Sequence, residues 1–414
     1  MATIAQGSRI SSARLGWLVV LIALSVLLNY VDRGAIGIAA PLMKAELGLS
    51  ATGFGTAVSA FFWVYAPLCL FVGWLCDRYC VYRLFAGGIA LWAVATLLMG
   101  FVHGIVLLIV LRLILGLGES IAFPGSSKIF AAEVPATNRG LANAMVAAAL
   151  AFGPAVGTLT GGLILEEMGW RPIFWIFGAI TLVWLVPWHF VAAPLRTRSM
   201  SVPVVDPVPL RTIMRVPAVW LMGVGHFCTN YGFYFLLTWL PLYLVKSRGF
   251  SIAEMTALTT LGFSVQGIMA LVMGHVSDRW VQAGADEARV RRGMMIAGQA
   301  LAAVAIGSVY FAQGPMQVGA CLVLAGLASS LTSTNLFAIG QMFSGPKAAG
   351  VWIGLQNAVG NAAGIIGPIL TGLMIDYLGG YGYAFALTAL VPALGALWWW
   401  KAIPPIRPFE QSAA

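Results

Sequence analysis

The sequence predicts an all-α integral membrane protein: twelve transmembrane helices in two six-helix bundles related by duplication. Three observations predict this fold class: a composition too apolar for water, twelve apolar runs of spanning length, and motifs repeated about half a chain apart. Of 414 residues, 60% are hydrophobic and 9% charged, and the mean hydropathy is +0.91. Soluble domains carry roughly 25% charged residues. The composition therefore excludes a disordered chain, a disulfide scaffold and an ordinary cytosolic enzyme.

A helix needs about 20 apolar residues to cross a hydrocarbon core about 30 Å thick. Such runs fall at roughly 15–40, 53–75, 84–103, 105–131, 139–164, 171–192, 217–245, 254–276, 293–312, 315–342, 348–375 and 381–402. They are too continuous for barrel strands, which run about 10 residues and alternate. The first run is too long for a signal peptide, and the polar Asn29-Tyr30-Val31-Asp32-Arg33 stretch interrupts it. The expected organisation is a cytoplasmic tail at 1–14, a first bundle at 15–192, a cytoplasmic linker at 193–216, a second bundle at 217–402 and a tail at 403–414. Four prolines and several arginines mark the linker.

Basic residues orient such a chain, because they concentrate in cytoplasmic loops. With both termini inside, most of the 23 Lys and Arg fall on one face, Arg78, Arg83, Arg279, Arg291 and Arg292 among them. The other face holds only Lys44, Arg171, Lys246 and Arg248. The net charge of +9 is thus topology and contact with anionic lipid, not a nucleic-acid footprint. Of the five cysteines, Cys76 and Cys80 form a Cys-x3-Cys pair with no second ligand pair and no nearby His, so all five read as reduced structural thiols and no metal is expected.

Two motif pairs carry the duplication. Gly73-Trp-Leu-Cys-Asp77-Arg78 after helix 2 returns as Gly274-His-Val-Ser-Asp278-Arg279 after helix 8, with the aspartates 201 residues apart. Gly153-Pro154 in helix 5 returns as Gly367-Pro368 in helix 11, with the prolines 214 apart.

Charge within a span costs at least about 2.5–3.5 kcal/mol on insertion scales, so each instance marks a functional candidate. Four stand out: Asp32 and Arg33 in helix 1, Arg112 and Glu119 in helix 4. At 1.5 Å per residue, Asp32 lies about 18 Å below Lys44, while Arg112 and Glu119 lie about 13 and 24 Å below the turn at His103. This arithmetic puts Asp32, Arg33 and Arg112 at one level, with Glu119 deeper. Asn29, Tyr30 and Arg33 share a helix face, and Asp32 points about 100° away. The expectation is an Asp32–Arg112 ion pair that leaves Arg33 turned toward a cavity. An arginine there is a carboxylate receptor, and Glu119, removed from water, is placed to load and release a proton. The second half has no comparable charge but offers polar and aromatic groups, among them Tyr231 and Tyr234 in helix 7 and Trp352, Gln356, Asn357 and Asn361 in helix 11. They suit hydroxyls and ring faces, or hydrogen bonding between helices.

Two six-helix halves, each with a Gly-x3-Asp-Arg loop, resemble the major facilitator superfamily. The resemblance implies alternating access around a midplane site, with Asp77, Arg78, Asp278 and Arg279 as cytoplasmic latches. Asn29-Tyr30-Val-Asp32-Arg33, Phe62-Trp63-Val-Tyr65-Ala-Pro67, Arg112-Leu-Ile-Leu-Gly116-Leu-Gly118-Glu119 and the asparagines before the helix 11 Gly-Pro resemble its anion:cation symporter branch. That branch includes bacterial carriers of sugar acids and the vesicular glutamate and sialic acid transporters. The resemblance implies that Arg33 binds the substrate carboxylate with Tyr65 assisting, that Glu119 is the principal proton site, that Asp32 and Arg112 form a coupled pair, and that Asn357 touches substrate. The resulting expectation is a monomeric, proton-coupled importer of a small organic anion in a bacterial inner membrane, with the proton as coupling ion and no cofactor. Alternatives are an exporter or antiporter on the same fold, and a non-transporting nutrient sensor. A membrane-embedded enzyme is disfavoured because His103, His189, His226 and His275 are scattered.

Overall fold

The structure, a computed structural model, describes residues 11–196 and 208–409, apart from the side chains of residues 74, 77, 131, 136, 137, 139, 140, 196, 346 and 347. Among the described residues all regular structure is helical. The first half comprises α1 (Ser12–Glu46), α2 (Ala51–Arg78), α3 (Val81–Met99), α4 (Ile105–Glu119), α5 (Ala122–Glu133), α6 (Ala136–Met168) and α7 (Arg171–Arg196). A short α8 (Leu210–Met214) precedes α9 (Pro217–Thr238), α10 (Leu240–Lys246), α11 (Ile252–Gln282), α12 (Glu287–Phe311), α13 (Gly314–Tyr377) and α14 (Tyr381–Lys401). The first ten residues of the expected N-terminal tail, residues 197–207 of the expected linker and the last five residues lie outside the described part.

Helix breaks divide these elements into twelve crossings. α4 and α5 form one, Ile105–Phe130. α13 makes two, parted at Gly345, whose φ of 62° suits a residue without a Cβ. Eleven crossings are helices long and apolar enough to span a membrane. The twelfth is α9 with α10, interrupted at Trp239. Pro241 has no N–H to give the carbonyl of Leu237, four residues earlier, so the helix yields there. Side chains cap the turns: Ser50 Oγ accepts from Gly53 N–H at 2.9 Å, and Ser251 with Glu254 forms a capping box on α11. Large apolar side chains such as Val106, Phe190 and Phe311 are exposed around the outside, as a surface facing lipid requires.

The interface between the halves repeats the duplication. α2 (helix 2) packs on the second arm of α13 (helix 11), and α6 (helix 5) packs on α11 (helix 8). Duplication equates helix 2 with 8 and helix 5 with 11, so the two contacts are counterparts. Packing is closest near the α1–α2 turn. A methyl at Gly37 would collide with the carbonyl of Leu237, one at Gly55 with that of Pro368, and one at Gly372 with that of Ala51. Small residues let backbones approach this closely, which is how helices associate without a hydrophobic drive in lipid. Gly37 meets the carbonyl that Pro241 released, so the proline and the glycine together form one contact. Asp376 then caps α2 from the opposite half, Oδ1 accepting from Ala51 N–H at 3.1 Å and Oδ2 from Thr52 N–H at 2.7 Å.

Toward the other end the contact thins. Asn357 Nδ2 donates to Cys69 Sγ at 3.5 Å; beyond it Phe71, Leu141, Leu271 and Val272 are exposed, and nothing lies within 4 Å of a methyl built on Gly73 or Gly274. Among the described residues the halves are closed at the α1–α2 turn and further apart toward the basic end.

A buried charge cluster as the candidate functional site

All four ionisable residues singled out within spans are buried: Asp32, Arg33, Arg112 and Glu119. Their pairing differs from expectation. Arg33 Nε donates to Glu119 Oε2 at 2.8 Å. Asp32 does not pair with Arg112; its Oδ2 accepts from Trp92 Nε1 at 2.5 Å and from Thr96 Oγ1 at 3.4 Å, both on α3. Arg112 Nη2 donates to the carbonyl of Val58 at 3.1 Å.

Helix ends explain the difference. α1 runs on to Glu46 and α4 starts at Ile105. At 1.5 Å per residue, Arg33 and Glu119 lie about 20 and 21 Å from those ends, and Arg112 only about 10 Å. Arg33 and Glu119 therefore share a level. The 100° between Asp32 and Arg33 then turns the aspartate toward α3 while the arginine faces α4.

Aromatic faces surround the Arg33 guanidinium, with centroids at 4.5 Å for Tyr65, 5.0 Å for Phe61 and 5.1 Å for Tyr30. Each is close enough for a cation–π contact. Phe61 also lies 5.0 Å from the Arg112 guanidinium and stacks on Tyr65 at 5.1 Å and 21°. Gly116 brings α4 against α2 here, since a methyl would collide with the Phe61 carbonyl; the room expected at Gly116 goes to a neighbouring backbone. Buried polar atoms remain without partners: Arg33 Nη2, Arg112 Nε and Asp32 Oδ1, while the Asn29 amide lies against the Glu119 carboxylate. Buried groups of this kind are ordinarily satisfied, so the cluster has unused hydrogen-bonding capacity.

The second half meets this cluster through α9 and the second arm of α13. Tyr234 lies 4.6 Å from Phe62, ring to ring, and its hydroxyl donates to Asn361 Oδ1 at 2.5 Å. Asn361 Nδ2 donates to Asn357 Oδ1 at 2.9 Å. Tyr231 is buried beside Phe227, with its hydroxyl unpartnered. Trp352 and Gln356, expected among the substrate-facing residues, are directed elsewhere. Trp352 stacks on Phe343 at 5.7 Å and 10° in a separate apolar cluster with Trp399, and Gln356 Nε2 faces the Leu336 carbonyl at 3.5 Å. Both face the first arm of α13, because the hairpin at Gly345 folds that arm against the second.

At the expected latches, Asp77 falls on a side chain outside the described residues, and Arg78 ends α2 exposed. In the second copy Asp278 lies 3.5 Å from Arg291, which also binds Glu287 at 2.7 Å, while Arg279 is exposed. Sequence reasoning missed Phe61, Trp92 and Cys69. Each sits in an apolar run, where an aromatic or a thiol is indistinguishable from packing; the four-residue spacing of Phe61 and Tyr65 was the one available signal.

The family model described as the Major Facilitator Superfamily matches residues 22–284 and 249–413. The probable sulfoacetate transporter SauU of Cupriavidus necator is 28% identical, over 89% of this chain and 89% of that protein. The probable galactarate/D-glucarate transporter GudP of Escherichia coli is 29% identical, over 92% of each. The chloroplastic ascorbate transporter of Arabidopsis thaliana is 26% identical, over 92% of this chain and 74% of its own. Among solved structures, a bacterial homologue of the human lysosomal transporter Spinster in its inward-facing, occupied conformation superposes with a TM-score of 0.77 at 18% identity, covering 95% of this chain and 97% of that one. Twelve crossings, a duplicated half and a family match along nearly the whole chain converge: this protein is a membrane transporter, not an enzyme, and belongs to the Major Facilitator Superfamily.

Proposed function

We propose that the protein imports a small organic anion together with protons across a bacterial inner membrane, as a monomer with both termini cytoplasmic and no bound cofactor. The observation that carries this reading is the buried Arg33–Glu119 pair with its spare hydrogen-bonding capacity. A buried pair holding only two helices together is poorly explained, since apolar packing serves as well without desolvating charge. As a working part it has a clear logic. Ionised Glu119 occupies Arg33; a protonated Glu119 releases the guanidinium to a substrate carboxylate, so proton and anion load together. Asp32 and Trp92 supply a second protonatable contact one helix away. The relatives named for sulfoacetate, galactarate or glucarate, and ascorbate agree with an anionic cargo. The basic end is then cytoplasmic, and the closed α1–α2 end faces outward, so the conformation described is inward-open.

Uptake into proteoliposomes under an inward proton gradient, with Glu119→Gln alongside, tests the proposal. The expected result is gradient-driven accumulation that the variant loses while keeping counterflow exchange. A variant that still concentrates substrate would remove Glu119 from coupling, and a wild-type protein indifferent to the gradient would remove symport.

A further inference from the structure

We infer that the anion this site accepts is a monocarboxylate with a flat, π-faced body, such as an aromatic acid, in preference to a polyhydroxylated acid or a dianion. The inference rests on the reading of Arg33 as the anion receptor and narrows the cargo.

Charge limits the number of acid groups. Among the described residues, Arg33 and Arg112 are the buried cations. Arg112 lies about two turns nearer the α1–α2 end than Glu119, is tied to the Val58 carbonyl, and has Phe61 between it and the Arg33 level. The buried polar residues of the second half include no Lys or Arg, and His226 among them packs on Phe337. Both guanidinia keep an unpartnered nitrogen, Arg33 Nη2 and Arg112 Nε, but Arg33 is the one at the level of Glu119. A second carboxylate would be set among aromatic rings with no cation opposite, a costly placement for charge.

The walls select the body. Tyr30, Phe61 and Tyr65 surround the receptor, and beside them Phe62 packs on Tyr234 of the second half. Rings accept a planar π-system edge-on or offset-stacked. The amides able to read several hydroxyls are already engaged: Asn361 with Tyr234 and Asn357, Asn357 with Cys69, and Asn29 with the Glu119 carboxylate. A polyol would leave its own hydroxyls unpaired or break this chain, and either loses affinity. The unpartnered Tyr231 hydroxyl suits a single polar substituent at most.

Calorimetric binding to the purified full-length protein tests this with benzoate, cyclohexanecarboxylate, gluconate, terephthalate and glucarate. Cyclohexanecarboxylate matches benzoate in charge and size without the π-face. Benzoate is expected to bind at least about tenfold more tightly than gluconate, glucarate or terephthalate, and severalfold more tightly than cyclohexanecarboxylate. Tyr65→Leu should erase the preference over cyclohexanecarboxylate, Tyr65→Phe should keep it, and Arg33→Gln should abolish binding of every acid. Tighter binding of gluconate or glucarate, an unchanged ratio in Tyr65→Leu, or no binding by any of the five would overturn the inference. Coupling is judged separately in proteoliposomes. Benzoate exchange without gradient-driven accumulation would sink symport and leave the cargo class standing, whereas gradient-driven uptake of gluconate would do the reverse.

Discussion

Asp376 holds the N-terminus of α2 from the opposite half, and that contact exists only while the α1–α2 end is closed. Removing it with Asp376→Ala should therefore shift the balance of conformers, not the fold. The two bonds, at 3.1 and 2.7 Å, go to the first two N–H groups of the helix. Loss of a capping side chain costs about 0.5–2 kcal/mol, and an acidic group near a helix N-terminus adds roughly 0.3–1 kcal/mol. Asp376 is exposed, so water replaces part of both, and the net effect should be about 1 kcal/mol. That moves a two-state equilibrium about fivefold toward the conformer open at this end. The measurement is a spin-label distance distribution between Ala45→Cys and Tyr377→Cys, in a background with the five native cysteines replaced, reconstituted in lipid without substrate. The long-distance population should rise about fivefold relative to the short one, while thermal stability changes little. An unchanged distribution would show that the glycine contacts alone set the closed state and that the cap is incidental.

Further outcomes follow from the same geometry. Gly116→Ala drives a methyl into the Phe61 carbonyl and should destabilise by about 1–3 kcal/mol, read as a lower Tm in detergent; a Tm equal to wild type would mean that α2 and α4 separate freely. Trp92→Phe removes a donor from buried Asp32 and should cost about 1.5–3 kcal/mol. In combination with Asp32→Ala the cost should be clearly less than the sum, and strict additivity in that double-mutant cycle would show that the bond contributes nothing. Trp352→Ala should lower stability by about 3–5 kcal/mol and leave the KM for the transported anion within about twofold, because Trp352 packs on Phe343 away from Arg33. A large rise in KM at unchanged Tm would return Trp352 to the binding site.

The class, the number of crossings, the duplication and the buried ionisable residues of the first half could all be read from the chain. Each is a one-dimensional property: apolar length, the distribution of arginine, the recurrence of Asp77 at Asp278 and of Pro154 at Pro368. Periodicity also showed correctly that Asp32 and Arg33 point in different directions. Partner choice was not legible. Arg33 binds Glu119 and not a free cavity, and Asp32 turns to Trp92 and not to Arg112. Pairing depends on where each helix ends and which neighbour lies 100° around it, and a few residues' error at a terminus moves a side chain by a full turn. The close approaches at Gly37, Gly55 and Gly372 and the cap from Asp376 were equally hidden. Residues from 37 to 376 meet there only after both halves have packed. The sequence by itself determined that charge is buried and in which helices; the tertiary structure decided which charges neutralise each other and which guanidinium nitrogens stay unpartnered, because that is set by distances of a few ångströms between helices far apart in the chain.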